Sequence, residues 1–138
     1  MRDTATLLVG NRSDLTVSVI DASTCNGSNT SGCPQVAPPA VLVGTFPKSA
    51  GTGFSLVGRG MGIDQTTHRI FIPVTGDSGT VRINGDTCRA DHIAGCGPMV
   101  VSDRMGGFPL TVAVDGSSGT VYVANTNDGT VSIFATGR

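Results

Sequence analysis

Short apolar runs, each broken by a polar turn, recur along the chain. Residues 6–21 read TLLVGNRSDLTVSVID, residues 69–84 read RIFIPVTGDSGTVRIN, and residues 120–134 read TVYVANTNDGTVSIF. Each reads as strand, turn, strand. In Asp77-Ser78-Gly79 and Asn127-Asp128-Gly129 the turn residues tolerate the left-handed backbone that a twisted hairpin needs. Three two-stranded hairpins are therefore expected. In Thr16-Val17-Ser18-Val19-Ile20 and Thr120-Val121-Tyr122-Val123-Ala124 one strand face is aliphatic and the other small or semi-polar, as in a sheet packed on both sides.

Two further apolar stretches complete the unit. Ala40 to Phe46 and Met99 to Val101 follow the first two hairpins, and Met61 to Asp64 and Leu110 to Asp115 precede the last two. The unit thus has four strands. Repetition at such a period marks solenoids and propellers. The copies are unevenly spaced: Leu8 to Phe71 is 63 residues and Phe71 to Tyr122 is 51. The difference is local, because about eleven extra residues fall between Lys48 and Arg59. The expected fold is all-β, a partial β-propeller of about three four-stranded antiparallel blades with incomplete first and last blades. Residues 1–138 form one repeat domain, with units at about 1–46, 61–108 and 109–138 and an inserted loop at 48–59.

Composition agrees with this reading. Gly is abundant at 20 residues, Thr and Val are frequent, Asp supplies all of the acidic residues and Glu is absent. Such a chain favours strands and tight turns over helix. A net charge of -1 with a single Lys argues against nucleic acid as a partner, since a phosphate backbone calls for a basic face. No apolar run approaches the roughly 20 residues of a membrane-spanning helix. The first residues, Met1-Arg2-Asp3-Thr4, carry no apolar core of a secretory signal.

The cysteines repeat with the hairpins. TCNGSNTSGC follows the first and TCRADHIAGC the second, so Cys25 aligns with Cys88 and Cys33 with Cys96, both at an offset of 63. Zinc sites usually space paired cysteines by about two to four residues, whereas seven separate each pair here. The spacing favours a local disulfide in each loop, Cys25 with Cys33 and Cys88 with Cys96, over zinc or reduced buried thiols. Persistent disulfides imply an oxidising compartment: extracellular, periplasmic or cell-surface.

The run Ala113-Val114-Asp115, Gly119 to Asn125 and Asp128 to Ile133 resembles the YVTN-type β-propeller repeat. Tyr122, Val123 and Asn125 match the naming tetrad with Ala124 in place of Thr, and Asp128 and Gly129 follow as the turn. The first copy keeps Val9 and Asn11. The second has Phe71-Ile72-Pro73-Val74, loses the Asn, and places Pro73 where a ladder donor is expected. The resemblance implies a propeller and no particular activity.

A propeller closes with roughly four to eight blades, and three, four and three strands supply fewer than three complete ones. A fragment of a longer propeller is expected over a self-assembling ring, because a unit lacking its fourth strand would abut one lacking its first.

Other motifs read as structural. The glycine-rich stretch Gly51 to Gly62 lacks the Gly-Lys-Ser/Thr ending and the helix of a phosphate cradle. His68 and His92 have no partner at a recognisable spacing and are expected to be exposed. Asp3, Asp64 and Asp115 recur before hairpins as turn formers that cap backbone amides, with calcium binding through them or through Asn125 and Asp128 as the alternative. Asn11, Asn26 and Asn29 each begin an Asn-x-Ser sequon. No cofactor and no catalytic residue is assigned. The leading expectation is a non-catalytic exported module that acts as a scaffold or binding surface for an unidentified ligand or protein, as a homo-oligomer or with the remaining blades of a longer chain. The alternative is part of a propeller enzyme, a lactonase-like hydrolase or a quinone-dependent dehydrogenase, whose active residues lie on other blades.

Overall fold

The computed structural model describes residues 6–11, 16–31, 41–45, 58–75, 78–96 and 101–137. It is all-β. Among the described residues, ten strands form three separate antiparallel sheets, and the only helical segment is a 3-10 turn at Ile93–Cys96. The first sheet comprises β1 (Thr6–Asn11), β2 (Thr16–Asp21) and β3 (Val41–Thr45) in that order. The second comprises β4 (Gly62–Asp64), β5 (Arg69–Val74), β6 (Gly79–Asn84) and β7 (Val101–Arg104). The third comprises β8 (Pro109–Asp115), β9 (Thr120–Asn125) and β10 (Thr130–Ala135). No sheet closes into a barrel, and the three are stacked as partial β-propeller blades.

The hairpins share one register. Thr6 pairs with Asp21, Arg69 with Asn84, and Thr120 with Ala135. Ladder irregularities fall at matching places in β2/β3, between Thr16 and Ser18, and in β6/β7, between Thr80 and Val81. The repeat therefore extends to local distortions. Positive φ values occur at Ser78 (47°) and Gly129 (62°) in the hairpin turns, and at His68 (52°) and Gly119 (66°) in the turns before β5 and β9. Each pair is separated by 51 residues. At both sites the second copy thus holds a side-chain-bearing residue in a conformation that favours glycine.

Two apolar layers hold the sheets together. Between the first and second, Val17 and Val19 meet Ile70, Ile72, Val74, Val81 and Ile83, with Leu8 and Met61 at the margin. Between the second and third, Phe71 is enclosed by Val112, Val121 and Val123, with Met105, Val114 and Phe134 around them. The second sheet is thus buried on both faces, which is why β5 reads Ile70-Phe71-Ile72-Pro73-Val74 without polar interruption. Approach of the third sheet is close at Gly62: a Cβ there would lie 2.7 Å from both Val112 Cγ1 and Val114 Cγ2.

Arginines bridge the second contact. The Arg82 guanidinium lies over the Phe71 ring at 5.5 Å and the Phe134 ring at 5.3 Å, and those rings meet edge to face at 5.8 Å. Arg69 donates to the carbonyls of Thr136 and Gly137, and Arg82 to those of Ala135 and Thr136. The chain after β10 is thereby pinned to the second sheet.

Pro73 sits in a strand with neighbours on both sides, yet it costs no ladder bond. β4 pairs with β5 only from Gly62↔Phe71 to Asp64↔Arg69, so Pro73 lies past its end. Its carbonyl accepts from the Gly58 amide at 2.7 Å. A strand residue points its N–H and C=O to the same side, so the missing donor faces this unpaired flank and not β6. Most of the inserted loop at 48–59, its residues 48–57, lies outside the described residues. At its end, the Arg59 amide donates to the Leu110 carbonyl at 2.7 Å, tying the loop exit to β8.

Candidate functional site

The recurrent aspartates are committed to turns. Asp64 is fully buried; its Oδ1 accepts from the Thr66 and Thr67 amides at 2.9 and 3.4 Å, and its Oδ2 from the Thr67 hydroxyl at 2.8 Å. Burial pushes this carboxyl up, but hydrogen bonds from the Thr67 hydroxyl and from the Thr66 and Thr67 amides outweigh it. They hold Asp64 at about 2, below the ordinary 3.8. Asp115 repeats the arrangement in the third sheet, accepting from the amides and hydroxyls of Ser117 and Ser118. The Ser117 hydroxyl is the main cause of its fall to about 2. At the far end of the first hairpin, Asp21 accepts from the Ser23 hydroxyl and amide, which lower it. Asp3 lies outside the described residues.

The cysteine loops connect the third and fourth strands of the first two units. Cys88 is bonded to Cys96, with the Arg89 and His92 backbones forming an isolated bridge inside the loop. Cys25 is also disulfide-bonded, and Asn26 and Asn29 form the matching bridge. Cys33 lies outside the described residues. Cys88 is buried against the first apolar layer, so the second loop is fastened to the core as well as closed on itself. In the first loop Asn26 accepts from the Ser28 and Asn29 amides at 2.9 and 3.0 Å, an Asx turn that occupies a sequon asparagine.

The residues of the repeat motif divide between core and surface. Val123 and Asn125 are buried, whereas Tyr122 on the opposite strand face is exposed. The Asn125 amide lies 3.2 Å from the Thr130 hydroxyl and 2.8 Å from that of Ser132, bracing the hairpin from within. Asn11 does the same in the first copy, donating to Ser18 at 2.7 Å. The Asp128 carboxylate accepts from the Gly107 amide and closes the loop before β8 onto the hairpin turn that ends at Gly129. Val74 holds the place of Asn125 in the second copy, and the first apolar layer fills it.

One cavity of about 250 Å³ opens between the first and second sheets. It is lined by Thr6, Leu7, Leu8, Met61, Ile63, His68, Ile70, Gly85 and Cys88, so its wall is mainly apolar. His68 corrects the expectation of a free, exposed histidine. It is part-buried at the cavity edge, with Nδ1 2.5 Å from Asp86 Oδ1. The two residues are 18 apart in sequence and meet only because the turn before β5 lies beside the turn after β6, where the Gly85 amide donates to the His68 carbonyl. His92 is exposed, as expected.

Comparison with known families places one repeat. The NHL repeat model, a β-propeller-type repeat, matches residues 107–134, which run from the loop before β8 into β10. No curated protein matches the chain. No helix among the described residues is long and apolar enough to cross a membrane.

Proposed function

We propose that the chain is a non-catalytic β-propeller module of an exported protein, serving as a scaffold or binding surface within a larger ring. Its third repeat we read as YVTN-type on Tyr122, Val123, Asn125, Asp128 and Gly129. The observation that carries the functional reading is where the chemically capable side chains are spent. The carboxylates of Asp21, Asp64 and Asp115 cap turns, His68 is engaged by Asp86, and two sheet contacts are sealed by apolar side chains. What this leaves for recognition is an apolar cavity and the sheet faces. Export is supported by the Cys88–Cys96 bond, which a reducing cytosol would not preserve.

The reading is tested in two arms. Alkylation of the protein without reductant, followed by mass spectrometry, is expected to label no cysteine; four labelled thiols would overturn export. Assays with lactones, esters and quinone-coupled alcohols are expected to show no turnover. Turnover that disappears on His68→Ala would overturn the non-catalytic assignment.

A further inference from the structure

The first apolar layer is built from smaller side chains than the second. At the repeat offsets, Thr6, Leu8 and Val19 of the first sheet stand where the second sheet has Arg69, Phe71 and Arg82, and Ile83 of the second stands where the third has Phe134. The larger groups fill the contact between the second and third sheets. There the Arg82 guanidinium lies over both rings, and Arg69 donates to the Thr136 and Gly137 carbonyls. Between the first and second sheets the same place is the cavity of about 250 Å³, with Thr6, Leu8, Ile70 and Gly85 in its wall. Gly85 is the counterpart of Thr136, so the cavity lies where the arginine and aromatic groups lie one contact further on. Its room comes from residue size within two packed sheets.

The second copy also carries polar chemistry at this place that the third does not. His68 and Asp86 stand where the third copy has Gly119 and Gly137. His68 holds the left-handed conformation that its counterpart meets with glycine, a costly choice for a residue with a side chain. Its ring borders the cavity, with Nδ1 2.5 Å from Asp86 Oδ1. An ionised carboxylate can only accept, so in the neutral ring Nδ1 carries the proton and Nε2 presents a lone pair. Among the described residues none bonds Nε2. An otherwise apolar wall is thereby given one hydrogen-bond acceptor, fixed in place by the carboxylate behind it.

We propose that this cavity binds a small aromatic alcohol, its ring in the space that Phe71 takes in the second layer and its hydroxyl donating to Nε2 of His68. An apolar cavity of roughly 150 Å³ is enough for a benzene-sized molecule, so this one admits a single ring with a short substituent. Met61 in the wall supplies a flexible thioether, which adapts to an aromatic ring and makes favourable contact with it. Few polar groups in an apolar pocket fix the orientation of a ligand, and here His68 does so. The assignment rests on the binding role proposed above and gives it a ligand class.

The test is a titration of the unaltered chain with 4-ethylphenol, read from the methyl resonances of Leu8, Met61, Ile63 and Ile70. Saturable shifts at these methyls are expected, with a Kd of about 1 mM or below. The methyl ether 4-ethylanisole, which has no hydroxyl to donate, is expected to bind about tenfold more weakly. In the H68A variant the phenol and the ether are expected to bind alike. L8F puts back the aromatic ring of the second layer and is expected to abolish saturation by either probe. Shifts that do not saturate overturn the proposal, and so does binding that survives in a folded L8F. Equal affinity for phenol and ether in the unaltered chain overturns it too, as does a phenol preference that persists in H68A; these two comparisons decide the matter even where L8F fails to fold. Failure here leaves the alkylation and turnover tests of the module reading untouched, whereas turnover lost on His68→Ala would overturn that reading and not the cavity's occupant.

Discussion

Replacing Phe71 with alanine removes the side chain on which the second and third sheets close. The ring is fully buried, is enclosed by Val112, Val121 and Val123, meets Phe134 edge to face and lies under the Arg82 guanidinium. Buried Phe→Ala changes cost about 3–5 kcal/mol, and an aromatic pair adds about 0.5–1.5 kcal/mol beyond area burial. The cavity would be walled by strands of two different sheets held by their own ladders, which limits collapse and puts the expected loss near 4–5 kcal/mol. Against a typical domain stability of about 5–15 kcal/mol, that is a large share. Urea unfolding followed by circular dichroism reads it as a lower midpoint with an unchanged slope. The counterpart change Tyr122→Ala is expected to cost under about 1 kcal/mol, because the same repeat position is there exposed. Equal losses at the two positions, or a loss below about 1 kcal/mol at Phe71, would refute the claim that this ring joins two sheets.

Three further outcomes follow from the same structure. Replacing both Cys88 and Cys96 with serine reopens a loop of about nine residues and is expected to lower stability by about 2.5 kcal/mol in equilibrium unfolding, with a larger loss if the buried Cys88 contact is also disturbed. Gly62→Val drives a side chain into Val112 and Val114 and is expected to cost about 1–3 kcal/mol in the same assay; a neutral result would contradict the close approach of β4 to β8. For Asp64, the folded carboxyl lies at about 2, below the ordinary 3.8. Its charged form therefore stabilises the fold fully above about pH 4, and that contribution is lost as pH falls through about 2. Asp64→Asn is expected to cost about 1–2 kcal/mol at neutral pH, and the gap from the unaltered chain should narrow between pH 4 and pH 2; a constant gap would contradict the charge-dependent capping.

Much of the architecture was legible in the sequence because it rests on local pattern. The hairpins of residues 6–21, 69–84 and 120–134 were marked by apolar runs around polar turns. Their register offset was marked independently by Cys25, Cys33, Cys88 and Cys96. What stayed hidden depends on contacts between repeats. Nothing in Asp77-Ser78-Gly79 singles out Ser78 as the left-handed residue; its alignment with Gly129 does. Pro73 looked disruptive because the sequence does not show that β4 pairs only with Arg69 to Phe71 of β5 and stops short of it. His68 was read as free because Asp86, its partner, comes near only once two turns at one end of the second sheet are adjacent. Arg82 carries no signal in the sequence, since only the stack brings Phe134 over it. The aspartate turns were readable as motifs, but the full burial of Asp64 was not, because the covering residue Thr136 comes from the far end of the chain.

Everything above depends on these sheets being separate blades stacked face to face, and methyl–aromatic nuclear Overhauser spectroscopy reads that stacking without mutation. Cross-peaks are expected from the Phe71 ring to the Val112, Val121 and Val123 methyls, and from the Ile70 and Ile72 methyls to those of Val17 and Val19. Cross-peaks confined within each sheet, with none between sheets, would contradict it.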